Sequence, residues 1–438
     1  MPNVIFIITD QQRASTIGCY GLNDSVKTPA LDGLARTGVR FTSCYASQPV
    51  CSPSRSSIMT GLYPSATGVV DNCNPHTQFY LPDHHFTWLQ EMHENGHEVC
   101  NIGKWHLGVS RRPIPKYFDV WHGYETGWGH WIVNEPTFPE PGEIQSGGDQ
   151  PKVEPGNGYG SYRVDEETDF AIDFIRRNRD NPFVCLLSFY PPHGPKTAPA
   201  EDVEFYKSMI TPHDQAVYHA MVRRIDRNIG RLLSAVDTAG LREDTIIVFT
   251  SDHGENYPQR WNEHGKRLCY DQSSNVPLII SWPGVIPQGE VVDGVVSNVD
   301  LCPTILDLCD QSWPEEIHGR SAKDLVIGNR SSWDREVMIQ NNPYRIWDGK
   351  HREMRERCLV TGEWKLIMNN MRPPELFHRG MPEIPENNLY GGTGTGEPPE
   401  DLVERLLYLG EYIGDDLTRT IIHGGPEPGK DDIFRPWA

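Results

Sequence analysis

Three apolar runs in this 438-residue chain end in groups that can bind a cation or carry a proton. NVIFIIT (3–9) leads into Asp10 and Gln11. TIIVFT (245–250) leads, past Ser251, into Asp252 and His253. PFVCLLSF (182–189) leads, through Tyr190, Pro191 and Pro192, into His193. In open parallel sheets, ligands bind beyond the carboxyl ends of the strands, so three such strands would aim acid and imidazole groups into one crevice. Any one of these residues could equally be a turn or cap former; their shared position is what argues for a site. Asp10, the Gln11 amide oxygen, Asp252 and His253 together offer hard oxygen ligands and one nitrogen. That set favours Ca2+, with Mg2+ or Mn2+ as alternatives. No thiolate cluster with zinc spacing accompanies it.

Cations occur at three further places. In GKWHLG (103–108), Lys104 and His106 are two residues apart and would face the same side of an extended backbone. Trp105 would then turn the other way, into packing. A Lys–His pair on one face can grip an oxyanion and protonate a leaving group; alone, it would also suit a solvated lysine beside a structural histidine. EHGKRLCYDQ (263–272) contributes Lys266. VCSPSRSSIMTG (50–61) places Cys51 just before Pro53, and proline suits a first helical turn because it has no N–H to satisfy. Cys51 would then lie at a helix N-terminus, where backbone N–H groups and the macrodipole attract an anion. Arg55 follows one turn later on the same face, a planar cation able to cradle a tetrahedral oxyanion. Ile58, Met59 and Leu62 supply an apolar side to bury. On chemistry alone, Cys51 is either a low-pKa thiolate nucleophile or a structural cysteine at a buried helix end.

Positioning these groups needs buried strands alternating with helices. NVIFIIT, EVCNIG (98–103), PFVCLLSF, TIIVFT and VPLIISW (276–282) lack regular polar alternation. They predict an α/β fold with a large, mainly parallel or mixed central sheet flanked by helices. Helices are expected over 28–38, 165–180, 214–240 and 299–309. From 110 to 160 the chain is rich in Gly, Pro, Trp and Glu, and reads as long surface loops rather than sheet. Trp121, His122, Trp128, His130 and Trp131 there suit either a sugar-lined pocket or packing of the loop itself. RCLVTGEWKLIMNN (357–370) predicts a β-hairpin turning at Thr361–Gly362, and EDLVERLLYLGEYIG (400–414) a terminal amphipathic helix. The expected division is a catalytic α/β domain over 1–335 and a smaller C-terminal α+β subdomain with an antiparallel sheet over 336–438.

The formal net charge of −20 argues against nucleic acid or an anionic membrane surface as partner. An anionic substrate would need a local cationic pocket that overcomes this field. The opening run Val4–Ile8 is too short for a signal segment or membrane span, so a cytoplasmic location is expected unless the chain has been trimmed. The ten cysteines include no C-x-x-C pair, and several fall inside apolar runs, as core thiols in a reducing compartment would.

Cys51-Ser52-Pro53-Ser54-Arg55 matches a C-x-P-x-R signature, and the chain resembles the type I sulfatases of the alkaline phosphatase superfamily. NVIFIITDQQR, GLYPSATGV, NIGKWHLG, FYPPHGP, IIVFTSDHGE, GKRLCYDQS, VPLIISWPG and SNVDLCPTILDL follow in that family's order, covering residues 3–310. GEWKLI followed by PELF is similar to its C-terminal sheet. The resemblance implies a metal-dependent sulfuric ester hydrolase whose cysteine a maturation enzyme oxidises to Cα-formylglycine. It implies that Asp10, Gln11, Asp252, His253 and residue 51 hold one divalent cation. Hydrated formylglycine would attack sulfur, assisted by Arg55. Lys104, His193 and Lys266 would hold sulfate oxygens and protonate the leaving oxygen, and His106 would act on the second hydroxyl. Asn72 lies at a position resembling a polar pocket residue of some members.

Gln11 and His253 stand where many sulfatases carry Asp and Asn. That pairing resembles the phosphonate monoester hydrolases and some bacterial sulfatases, while the Lys104–His106 pair resembles the sulfatases. The expected substrate is a small-molecule or glycan sulfate ester, a carbohydrate in preference to an aryl or alkyl sulfate. A phosphonate monoester or phosphodiester is the alternative. A sulfated-glycan binder without catalysis would be expected to lack a motif residue, and the principal ones are all present.

Overall fold

Strands that are apolar on both sides of the backbone must be covered on both faces. The computed structural model, which describes residues 1–73, 79–108, 114–125, 130–132, 161–256, 265–314, 316–329, 333–346, 352–390 and 400–423, shows how the chain does this. In chain order the first strands are β1 (Asn3–Asp10), β2 (Val39–Tyr45), β3 (Glu98–Lys104) and β4 (Val120–Tyr124). A separate two-residue ladder follows, β5 (Trp131–Ile132) with β6 (Ser161–Tyr162). Then come β7 (Phe183–Pro192), β8 (Thr245–Ser251), β9 (Asn275–Ser281), β10 (Glu290–Val292) and β11 (Val296–Ser297). Without the small ladder these make one nine-stranded sheet, ordered β10-β2-β9-β8-β1-β7-β3-β4, with β11 also paired to β2. From β8 to β4 neighbouring strands are parallel, and β9 runs antiparallel to both β8 and β2.

Alternation along each strand sends side chains to opposite faces. Val4, Phe6 and Ile8 of β1 pack with Ile58, Met59, Trp88, Met92 and Ile305 on one side. Ile5 and Ile7 pack with Leu31, Leu34, Ile175, Ile225 and Leu232 on the other. Helices Cys51–Thr60, Trp88–Glu94 and Leu301–Leu308 thus cover one face, and Pro29–Arg36, Arg163–Arg177 and His213–Thr238 the other.

A second, antiparallel sheet contains β12 (Val337–Ile346), β13 (Arg352–Val360), β14 (Trp364–Asn369) and β15 (Glu375–His378) in that order. Val360 pairs with Lys365, so the expected hairpin turns over Thr361–Glu363. One face, with Ile339, Cys358, Ile367 and Phe377, packs on Tyr45, Leu268, Tyr270 and Val295 of the first unit. The other, with Met338, Leu359, Leu366 and Leu376, packs on Leu402, Leu406, Leu417 and Ile421 of helices Glu400–Tyr412 and Asp416–His423.

Two expectations are corrected. The 110–160 stretch is not loop throughout: β4 extends the sheet, in register with β3 from Cys100↔Val120 to Lys104↔Tyr124. Trp121 packs edge-on to Trp105 there, and Tyr124 donates to Glu167 at 3.1 Å, so burial holds the segment against the sheet. Residues 133–160 lie outside the described residues. The Cys51–Thr60 helix also has more than one buried side: all ten residues are buried. Its serines are tolerated because they are paired, as with Ser47 Oγ donating to Ser57 Oγ at 2.8 Å and Asn298 Nδ2 to Ser54 Oγ at 2.7 Å. All ten cysteines are free thiols, nine of them buried. Among the described residues no helix is long and apolar enough to cross a membrane.

Candidate active site

The parallel block β8-β1-β7-β3 brings the carboxyl ends of four strands to one edge. Asp10 closes β1, Lys104 closes β3, Asp252 and His253 follow β8, and His193 follows β7. Opposite them the Cys51–Thr60 helix begins at Cys51, after Val50 in extended conformation, and ends at Gly61 with φ 74°. A left-handed residue there suits glycine and stops the helix cleanly.

Cys51 Sγ lies at the meeting point. It is 3.6 Å from Asp10 Oδ1, 3.3 Å from His253 Nε2 and 3.0 Å from Lys266 Nζ. Asp10, Cys51, Asp252 and His253 each present a ligand atom within 4.8 Å of the others, all four residues buried. His253 Nδ1 hydrogen-bonds to the Gly254 carbonyl at 2.9 Å, which leaves Nε2 toward the cluster. Gln11 Oε1 is buried without a hydrogen-bond partner, while Gln11 Nε2 donates to Glu255 Oε2 at 2.5 Å. Two carboxylates, one imidazole nitrogen and one orphaned amide oxygen fit a hard divalent cation.

Cations surround the same point. Lys104 Nζ is ion-paired to Asp10 Oδ2. Arg55 donates from Nε to Asp252 Oδ2 at 2.9 Å, and from Nη1 to the Lys104 carbonyl at 2.9 Å and Ser188 Oγ at 2.7 Å. Its Nη2 is buried with no partner, a donor left over for a ligand. Lys266 Nζ is 3.1 Å from His193 Nε2, and His193 Nδ1 bonds the Gly194 carbonyl at 2.7 Å. Tyr190 lies between the rings of His193 and His130, at 5.0 and 5.1 Å, with Lys104 Nζ 5.2 Å from its centroid. Asn72 Oδ1 accepts from Ser52 N–H at 3.2 Å, at the mouth of the helix.

These charges set the protonation states. Burial pushes the Cys51 thiol up, but Lys104, Lys266 and His253 pull it well below its ordinary value. Burial and the facing Cys51 also press Asp10 up, yet Lys104, His193 and Lys266 bring it down to about 2. Burial works against the Lys104 charge, and Asp10 and Cys51 outweigh it and hold its pKa above normal. His106 goes the other way: burial, then Lys104, push it down to about 4. Its imidazole is therefore neutral.

The principal residues singled out from the sequence come together here, though not always as expected. His106 has φ 61°, so it and Lys104 do not share a face by extended alternation; a left-handed residue after the strand does that work. Trp105 turns into packing against Phe118 and Trp121. Of the aromatic set from the loop region, Trp121 packs on the core, His122 stacks on Phe170 at 3.7 Å, and His130 is buried behind Tyr190. Trp128 and the side chain of Trp131 lie outside the described residues. Sequence reasoning missed Ser188, Tyr190 and Glu255. Glu255 could have been noticed from its place in the segment SDHGE, two residues after a candidate ligand.

Comparison with known proteins gives two overlapping family matches. A family model described as Sulfatase matches residues 2–311, and one described as N-sulphoglucosamine sulphohydrolase, C-terminal, matches 259–410. An ulvan-active sulfatase of Formosa agariphila is 29% identical over 94% of this chain and 82% of its own length. An N-acetylglucosamine-6-O-sulfatase of Bacteroides thetaiotaomicron is 25% identical over 92% of this chain and 85% of its own. Among solved structures, the yidJ protein of Bacteroides fragilis superposes with a TM-score of 0.79 at 25% identity, covering 96% of this chain and 97% of that one.

Proposed function

The chain belongs to the sulfatase family and is a sulfuric ester hydrolase, and from that premise we propose that it cleaves a carbohydrate sulfate ester through a formylglycine made from Cys51. The observation that carries this is the setting of Cys51. Its sulfur lies among two carboxylates, an imidazole and an ammonium, with a second ammonium and a guanidinium close by. A cysteine intended only for packing would not be ringed by buried ions.

The Cys51 sulfur stands in for a hydroxyl oxygen of the hydrated aldehyde. A divalent cation, Ca2+ in our reading, held by Asp10, Gln11, Asp252, His253 and residue 51, would supply Lewis-acid activation of that hydroxyl. Arg55 Nη2, otherwise unpaired, would steady the developing oxyanion. Lys104, Lys266 and His193 would hold the sulfate oxygens. With its proton already lost to solvent, the hydroxyl oxygen bonds to sulfur as the ester S–O bond breaks, and Lys266 or His193 passes a proton to the leaving oxygen. His106, uncharged in its buried setting, would then take the proton of the second hydroxyl. The C–O bond to sulfate breaks and the aldehyde is restored, so water need never attack the sulfate. The relative named as an N-acetylglucosamine-6-O-sulfatase supports a sugar as the alcohol half of the ester.

Gln11 and His253 support a second reading, a phosphonate monoester or phosphodiester hydrolase with the same nucleophile. Both readings need the modification. Co-expression with a formylglycine-generating enzyme should lower the mass of the Cys51 peptide by about 18 Da. Matured protein should then release sulfate from members of a panel of sulfated mono- and disaccharides. A retained thiol sinks the mechanism. A preference of roughly a hundredfold in kcat/KM for phenyl phosphonate esters would replace the sulfate assignment with the second reading.

A further inference from the structure

A glutamine amide has two ends of opposite character, and only its oxygen can ligate a cation. Gln11 is fixed in every respect but that one by its backbone. It sits at φ 69°, its N–H donates to Asp252 Oδ1 at 3.0 Å, and its carbonyl accepts from Tyr218 Oη at 2.7 Å. None of these contacts distinguishes the amide oxygen from the amide nitrogen. Glu255 does: its Oε2 accepts from Gln11 Nε2 at 2.5 Å, and the amide oxygen is left buried and unpartnered. Both residues are nearly inaccessible, Gln11 at 6% and Glu255 at 4% exposure, so bulk water does not choose the orientation.

Glu255 is itself held from three sides. Its N–H donates to the Gln272 carbonyl at 2.9 Å, one residue after Gly254 N–H donates to the Ser273 carbonyl at 2.7 Å. Lys196 Nζ lies 3.9 Å from Glu255 Oε2 and sets a positive charge near that oxygen. Gly265 closes over the pair: a Cβ there would fall 2.7 Å from Glu255 Oε1 and 2.8 Å from Gln11 Nε2. A flipped amide would set its oxygen against a carboxylate oxygen at hydrogen-bonding range and turn an NH2 toward the ion cluster. Both changes are unfavourable, since an acceptor would meet an acceptor and a donor would meet the cation.

We propose that Glu255 is a positioning residue that sets the Gln11 amide, so that its oxygen and not its nitrogen is offered to a divalent cation at Asp10, Asp252 and His253. The proposal rests on the reading of Gln11 as a cation ligand. One strand end would then carry two ligands, Asp252 and His253, and the residue that orients a third from a neighbouring strand.

The test is the affinity of chelator-stripped, full-length protein for Ca2+ by titration calorimetry, with thermal melts in chelator to check that each variant is folded. Gln11→Ala should weaken Ca2+ by about tenfold or more. If it binds like the wild type, the ligand reading itself fails. Given that loss, Glu255→Met should weaken Ca2+ to a similar degree, because nothing then pins the amide; Glu255→Ala serves if methionine does not fit. Glu255→Gln keeps an acceptor oxygen within reach of Gln11 Nε2 and Lys196, and should stay within about threefold of wild type. Adding Gln11→Glu to Glu255→Met should restore affinity, since both oxygens of a carboxylate accept and orientation ceases to matter. Positioning is overturned if Gln11→Ala weakens binding and Glu255→Met does not. It is also overturned if Glu255→Gln loses as much as Glu255→Met, which would assign the effect to charge, or if the double variant is not rescued.

Discussion

Lys104 and Arg55 are both cations buried beside Cys51, yet they are held differently, and substitution should separate them. Lys104 touches the site through a single ammonium paired to Asp10, while its stem is enclosed. Removing it leaves Asp10 without its nearest cation and takes away a group placed to hold a sulfate oxygen. Lys104→Ala should lower kcat/KM of the matured enzyme by roughly 10²- to 10⁴-fold, measured as sulfate release. A decrease below tenfold would remove Lys104 from the reacting centre. Arg55 instead ties three elements together, with bonds to Asp252, the Lys104 carbonyl and Ser188. Lysine offers no planar fork and cannot make these contacts at once. Arg55→Lys should therefore cost stability as well as activity, about 3–5 kcal/mol in denaturant melts, because Asp252 is left buried with a poorer partner. An unchanged melting midpoint would show that the fork is dispensable to the fold.

At the scale of elements, the strands that carry the site were legible because they are apolar on both faces, and that pattern has few other uses. β2 was not legible. VRFTSCY alternates, and its place between β9 and β10 comes from pairing with segments more than 200 residues away. β4 was hidden by a composition typical of loops. Ser188 carries no signal of its own until Arg55 is placed beside it, and Glu255 carries only its nearness to His253 until Gln11 is placed beside it. The helices were legible in extent but not in how they lock together. Asp226, on the His213–Thr238 helix, accepts from Ala30 and Leu31 N–H at 3.3 and 2.8 Å, so one helix caps the first turn of another. Burial raises its pKa from 3.8 to about 7, even though those N–H groups pull it down. The folded protein then keeps a proton that the unfolded chain has released. Stability from this group is complete below pH 3.8 and is lost as the pH rises through about 7. At about 1.4 kcal/mol per pKa unit the full effect is at most about 4 kcal/mol. Asp226→Asn keeps one acceptor oxygen, for the closer Leu31 N–H, at a constant cost in the second bond, and does not titrate. It should gain on the wild type in melts between pH 4.5 and 8, where a constant difference would refute the assignment.

Across the whole molecule, the two sheets are joined by more than apolar contact. Gln340 N–H on β12 donates to the Ser47 carbonyl at 2.7 Å, Asn342 Nδ2 to Gln48 Oε1 at 2.9 Å, and Met338 N–H to Tyr63 Oη at 3.1 Å. Ser47, Gln48 and Tyr63 flank the helix that begins at Cys51, so the second sheet braces the segments before and after it. The β13 residue Arg357 is buried and paired to Asp415 before the last helix, which ties the terminal helices to the same sheet. The expectation of a catalytic unit ending at residue 335 can be tested on this basis. A chain truncated there would expose Tyr45, Leu268, Tyr270, Val295 and Val299, which otherwise lie against the second sheet. It would also leave the Ser47 carbonyl and Gln48 Oε1 without the β12 groups that donate to them, and buried polar groups that lose partners cost more than the bonds themselves returned. The 1–335 fragment should therefore aggregate or elute as a swollen species in size-exclusion chromatography, with no sulfate release after maturation. Recovery of a compact, active 1–335 fragment would mean that the catalytic unit is self-sufficient and the second sheet serves only the substrate.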